Sequence, residues 1–182
     1  MRAFIALDLP REAINEIKKI QNLLRKKALF NGKYTEPENL HLTLKFLGEI
    51  SEEKVVEVKK RLSEIKLDEF IAETSEIGVF NKSVVRIIWI KLNGKSIWKL
   101  QGEIDEKLSG LFDKEERFMS HVTIARVKKV YDRKGFLDYL ESVKPKKIRF
   151  HIDKFFLKKS ELLPIEPVYT DLESYGFGKE KI

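Results

Sequence analysis

The sequence predicts an α+β fold built from a duplicated unit, and three observations predict it. An order of strand, helix, strand, helix, strand reads twice along the chain. The middle strand of each half carries one pattern, His41-Leu42-Thr43 in the first half and His121-Val122-Thr123 in the second. The two histidines stand 80 residues apart in a chain of 182, close to the half-length. No Gly/Ser/Pro-rich linker separates the halves, about 1–81 and 82–182, so one domain of two packed lobes is expected.

Each element follows from local pattern. Residues 2–9 (RAFIALDL) form an apolar strand that Pro10 stops, and Pro10 suits the start of a helix. Ile14, Ile17, Ile20 and Leu24 then recur at helical spacing. Residues 31–39 (NGKYTEPEN) read as a loop. Residues 40–48 alternate as a strand that ends at Gly48. Ser51 caps the next helix, Glu52 and Glu53 suit its positive end, and Val55, Val58, Leu62 and Ile65 give it an apolar stripe. Residues 69–80 supply a strand. In the second half, 84–92 (VVRIIWIKL) is β-branched, and Ile97, Leu100, Ile104 and Leu108 mark a helix with Gly110 near its end. Residues 119–127 are a strand, Phe136, Leu140 and Val143 mark a helix stopped near Pro145, and 148–158 and 167–175 read as two closing strands.

Composition narrows the function. There is no cysteine, which excludes a disulfide scaffold, a thiol nucleophile and a Cys-based zinc site. The first residues, MRAFIALDLP, are too short and too interrupted for a signal peptide, and no run approaches the ~18 apolar residues of a membrane span. A soluble cytoplasmic protein with no membrane partner is the expectation. The net charge of +7 is uneven: residues 117–160 hold 13 Lys/Arg against 4 Asp/Glu. Such a segment attracts polyanions, or simply coats a solvated face.

On a strand, side chains alternate between faces, so His41 and Thr43 point one way while Leu42 and Leu44 point the other. His121, Thr123, Val122 and Ile124 repeat this. If the halves are related by approximate two-fold symmetry, both His/Thr pairs face one cleft. Imidazole titrates near 6.5. One ring can therefore take a proton while the other gives one, and two threonine hydroxyls can hold a phosphate between them. Sequence alone leaves open which ring is the base. No HExxH occurs and no Asp or Glu lies within either motif, so no metal and no other cofactor is expected. His151 lacks a Thr at the second following position, Asp153 standing there, and reads as structural.

HLTLKFLGE at 41–49 and HVTIAR at 121–126 resemble the paired motifs of the 2H phosphoesterases. More narrowly they resemble the RNA 2′,3′-cyclic phosphodiesterase (2′-5′ RNA ligase) family, as do RAFIALDLP, VRIIWIKL and the closing FFLKKSELLP…VYTDLESYGF. The resemblance covers essentially the whole chain. It implies a bilobal α+β fold with two mainly antiparallel sheets flanking a central cleft and helices outside. It implies His41 as proton donor and His121 as proton acceptor, hydrolysis of cyclic phosphate RNA ends to 2′-phosphates, and reversible ATP-independent 2′-5′ ligation. RNA ends, tRNA halves among them, are the implied substrates of a monomer. Arg126 matches a family arginine five residues after the second histidine, and Thr43 and Thr123 join it as phosphate-binding candidates. The family often has Pro before the second histidine, where this chain has Ser120. A non-catalytic RNA-binding module is the alternative that the basic segment supports.

Weaker signals accompany these. Strict alternation puts Arg126 on the face opposite His121, so it reaches the cleft only if the strand bulges or ends there. It puts Lys45 on the His41 face, as a phosphate ligand or a solvated lysine, and Phe46 in the core. Tyr34, Phe80 or Trp89 can stack a terminal base, and the run from Lys128 to Lys134 can guide an RNA strand.

Overall fold

The structure, a computed structural model, describes residues 1–179. Its elements are β1 (Arg2–Asp8), α1 (Arg11–Lys27), β2 (Phe30–Tyr34), a 3-10 turn (Pro37–Asn39), β3 (His41–Glu49), α2 (Glu52–Leu62), β4 (Phe70–Val79), β5 (Ile87–Asn93), α3 (Lys95–Lys107), β6 (His121–Val130), α4 (Arg133–Ser142), β7 (Arg149–Ile152), β8 (Lys154–Leu162) and β9 (Pro167–Gly176). The fold class is the α+β arrangement that the sequence predicts.

The strands run in the order β7-β4-β5-β6-β3-β1-β8-β9, with β2 also on β6. Every pairing among them is antiparallel. The six inner strands, β4-β5-β6-β3-β1-β8, are arranged symmetrically about the centre. In each half the first strand pairs with the strand that carries the histidine, β1 with β3 and β5 with β6. A later strand crosses over to the first strand of the other half, so β4 lies on β5 and β8 on β1. Strands from the two sides of residue 81 are therefore interleaved, and neither arm of the sheet forms without both. The arms meet at the centre through one residue pair, Leu42 with Val122.

Helices cover one face of this sheet. Alternation buries Leu42, Leu44, Val122 and Ile124 beneath them. The apolar stripes read from the sequence supply the other half of the core: Ile17, Ile20 and Leu24 from α1, and Ile97, Leu100 and Ile104 from α3. α1 packs on β6 and α3 on β3, each helix on the central strand of the other half. Ser51 caps α2 by accepting from the Lys54 amide at 3.2 Å, as its sequence suggests. Among the described residues no helix is long and apolar enough to cross a membrane.

Two expectations change. Residues 31–39 are not all loop, because Phe30–Tyr34 pairs with β6 as a ninth strand. Asn31 and Gly32 suggest a turn, yet Gly32 serves a close backbone approach. A Cβ there would collide with the Arg126 carbonyl oxygen. The stretch 148–158 is two strands, divided at Asp153, so three strands close the fold. β7 joins β4 in one arm and β8 joins β1 in the other.

Candidate active site

The central pairing positions the site. With Leu42 opposite Val122 in antiparallel register, His41 comes beside Thr123 and Thr43 beside His121 on the face away from the helices. All four side chains line one cavity of about 680 Å³.

Each imidazole is held by the turn that precedes its strand. The Pro37–Asn39 turn aims the Asn39 carbonyl at His41 Nδ1, 2.7 Å away, and the Asn39 side chain is itself tied to Pro167 O at 3.0 Å. In the second half Met119 O lies 2.7 Å from His121 Nδ1. The next residue, Ser120, is pinned to β5, its hydroxyl donating to Leu92 O at 2.7 Å. Ser120 thus anchors the entry to β6. A carbonyl only accepts, so in both rings Nδ1 carries the hydrogen and Nε2 is the nitrogen left to react. His41 Nε2 accepts from the Thr43 hydroxyl at 3.0 Å.

Aromatic rings back both histidines. His41 lies 5.0 Å from Phe4 and 5.2 Å from Tyr169, and His121 meets Phe80 edge-on at 5.0 Å, centroid to centroid. Burial disfavours the charged rings. It pushes His41 down to about 4, with the Lys158 charge adding to the effect and the Asn39 carbonyl and Asp8 opposing it. It also lowers His121, against the pull of the Met119 carbonyl. Near neutral pH both rings of the free protein are neutral, and an anion between them favours their charged forms.

The depressed value carries a stability consequence. Between pH 6.5 and about 4 the unfolded chain protonates His41 while the folded one does not. Stability is therefore intact above pH 6.5 and lost as pH falls through that window, about 3 kcal/mol in all for this group. Urea titrations across the window should show the loss, and His41→Asn should reduce it to the part that His121 contributes.

Arg126 reaches the cleft because β6 bulges. Against β5, Ala125 pairs with Ile88 and Thr123 with Trp89, leaving Ile124 as an extra residue. On β3 the same thing happens at Leu44: Lys45 pairs with Ile5 and Thr43 with Ala6 of β1. Each bulge lies three residues after its histidine, and each reverses the alternation beyond it. The residues five after each histidine, Phe46 and Arg126, consequently turn to the imidazole face, and both line the cavity. This corrects two expectations. Phe46 is not core but 66% exposed in the cleft. Lys45 is not solvated, and its ammonium is taken up by two partners from the second half. It is 4% exposed, on Asp105 at 2.5 Å and Asp113 O at 2.6 Å.

A protein-family model described as LigT like phosphoesterase matches residues 7–89 and again 93–169, each match holding one His-x-Thr strand. The chain belongs to the LigT-like phosphoesterases. It is 36% identical over 178 residues to a Methanocaldococcus jannaschii protein named RNA 2′,3′-cyclic phosphodiesterase, covering 96% of this chain and 100% of that one. A protein of the same name from Archaeoglobus fulgidus is 33% identical, over 96% of this chain and 99% of its own. Among solved structures, a Thermus thermophilus protein superposes with a TM-score of 0.80 at 26% identity, all of both chains covered. Escherichia coli LigT complexed with 3′-AMP gives 0.77 at 22% identity over 98% of each, a likeness of fold.

Other candidates in this LigT-like phosphoesterase divide cleanly. Tyr34 lines the cavity, with the Arg25 guanidinium 4.2 Å over its ring, whereas Phe80 and Trp89 stand outside the lining. Lys128 to Lys134 lie outside it too, and His151 is exposed on β7. The sequence reading missed Arg2, Arg117 and Tyr169, which also line the cavity. Tyr169 comes from β9, and only the alternation of VYTDLESY could have suggested that it faces inward. Among the described residues no three His, Cys, Asp or Glu side chains are grouped to hold a metal.

Proposed function

We propose that this chain hydrolyses the 2′,3′-cyclic phosphate at an RNA end to a 2′-phosphate, with His121 as general base and His41 as general acid. One observation carries the reading. Two imidazoles from symmetry-related strands, each fixed through Nδ1 by a backbone carbonyl, turn Nε2 into one cavity that no other histidine lines. Relatives sharing nearly the full length and named for this activity support the substrate class.

The chemistry follows from the geometry. His121 Nε2 takes a proton from water, and the water oxygen bonds to phosphorus. The bond from phosphorus to the 3′ oxygen breaks, and His41 Nε2 delivers its proton there. The 2′ ester survives, and proton exchange with solvent resets both rings. The Thr43 and Thr123 hydroxyls and the Arg126 guanidinium hold the non-bridging oxygens, which are charged from substrate to product, and so fix phosphorus between the rings. Thr43 exchanges its bond to His41 Nε2 for one to phosphate, freeing that nitrogen for the leaving oxygen. With a 5′-hydroxyl RNA end in place of the attacking water, the same displacement opens the cyclic phosphate into a 2′-5′ linkage without ATP, and its reversal regenerates the cyclic end.

A short RNA with a 2′,3′-cyclic end tests this, with the product phosphate mapped. A 2′-phosphate supports the reading, a 3′-phosphate reverses the stated polarity, and binding without turnover would leave an RNA-binding module. The pH dependence is also set. In kcat/KM the active form needs His41 charged and His121 neutral, and both free-protein values lie below 6.5. The kcat/KM profile should therefore be a bell with its maximum on the acid side of 6.5. Bound phosphate raises both rings, so the kcat maximum should lie at higher pH. Coincident maxima at or above neutrality would contradict this electrostatic account.

A further inference from the structure

A bulge leaves backbone groups that the sheet no longer pairs, and these need partners from elsewhere. On β6 they find them in two side chains distant in sequence. Gln21 of α1, 2% exposed, donates to Ile124 O and to Thr35 O, both at 2.9 Å. Thr35 donates its amide to Ile124 O at 3.0 Å and its hydroxyl to Thr123 O at 2.9 Å. The carbonyls of both residues that form the bend are thus held from outside the β5–β6 ladder.

The first half has a counterpart. Asp105 stands ten residues after the first residue of α3, and Gln21 stands ten residues after the first residue of α1. Asp105 holds the bulge of β3 through Lys45, and Gln21 holds the bulge of β6 through Ile124 O. Each helix anchors the central strand of the other half at the point where it departs from regular pairing. The chemistry differs because the residue four after the histidine is Lys45 on β3 and Ala125 on β6. The lysine reaches its anchor with its own side chain, while the alanine leaves only backbone for an amide to grip.

We propose that Gln21 is a positioning residue for Arg126: by fixing Ile124 O it sets the bulge that turns the guanidinium onto the phosphate side of the cleft. The proposal rests on the reading of Arg126 as a phosphate ligand. Gln21 touches neither the cavity nor the reacting atoms. Its methionine variant keeps nearly the same volume and loses the side-chain amide that makes both bonds.

The test is a double-mutant cycle on kinetics with a short cyclic-phosphate RNA, using Gln21→Met, Arg126→Ala and the pair. Arg126 meets oxygens that carry charge in substrate and transition state alike. Losing its alignment should raise KM about tenfold with kcat little changed. A merely structural role would lower the folded fraction, which reduces kcat and leaves KM alone. In the Arg126→Ala background, Gln21→Met should add no further loss, because the residue it positions is gone. Thr35→Val attacks the same bend through Thr123 O and should likewise raise KM. An unchanged KM in Gln21→Met beside a raised KM in Arg126→Ala overturns the clamp alone. So does a double variant whose loss is the product of the single losses. An unchanged KM in Arg126→Ala overturns the phosphate assignment, and the clamp with it.

Discussion

Replacing His121 with alanine should lower kcat on a cyclic-phosphate RNA by about 10²–10⁴, and replacing His41 should do the same. The two losses have different origins. Without His121 Nε2 no group at the attacking side takes the water proton, so a weaker nucleophile must meet the phosphorus. Without His41 the departing 3′ oxygen leaves as an alkoxide. In both variants Thr43, Thr123 and Arg126, the proposed phosphate ligands, are still present, so KM should move far less than kcat and residual hydrolysis above the uncatalysed rate should persist. The double variant should be little worse than either single one, because two groups acting in one concerted transfer fail together. EDTA should leave the wild-type rate unchanged, since the proposed proton transfers are completed by side chains alone. Near wild-type turnover in either single variant would end the two-histidine reading. Equal RNA affinity with no turnover in the wild type would favour a binding module instead.

The histidines were legible in the sequence because they depend on two simple regularities. Strand alternation put His41 beside Thr43 and His121 beside Thr123, and the internal repeat placed the two pairs equivalently. The first three residues of each motif precede the bulge, so alternation holds there. It fails at Lys45, Phe46 and Arg126, all beyond it. A bulge inserts one residue without changing composition or hydrophobicity, and Leu44 and Ile124 look like ordinary core residues. The crossing of β4 and β8 to the opposite halves was hidden for a similar reason. Local pattern states that a strand exists and leaves its partner unstated. β2 escaped because Asn31 and Gly32 carry turn character, while the need for a glycine arose from the Arg126 backbone more than ninety residues away.

Asp105→Ala should cost about 3–5 kcal/mol of stability, among the largest losses available in this chain. The reason lies in Lys45. Its side chain is 4% exposed, and the ammonium's two hydrogen-bonding partners are Asp105 Oδ1 and Asp113 O. Removing the carboxylate leaves a buried charge with one carbonyl. Asp105 is also the junction of a wider network, accepting from Gln101 Nε2 at 2.8 Å and from the Glu115 amide at 3.1 Å. Burial alone would raise its carboxyl, but these bonds and Lys45 hold it below the usual carboxylate range. Its contribution is therefore present at neutral pH and fades as acid protonates it. The paired variant Lys45→Met with Asp105→Leu removes both charges and should recover most of the loss, since an apolar pair of similar volume escapes the desolvation penalty altogether. Urea unfolding of the three proteins measures this directly. A loss under about 1 kcal/mol in Asp105→Ala would mean that Lys45 escapes to water by swinging out of the bulge. In that case Phe46, one residue further along β3, would lose its fixed orientation in the cleft, and the variant would reveal it as altered RNA binding rather than as altered stability.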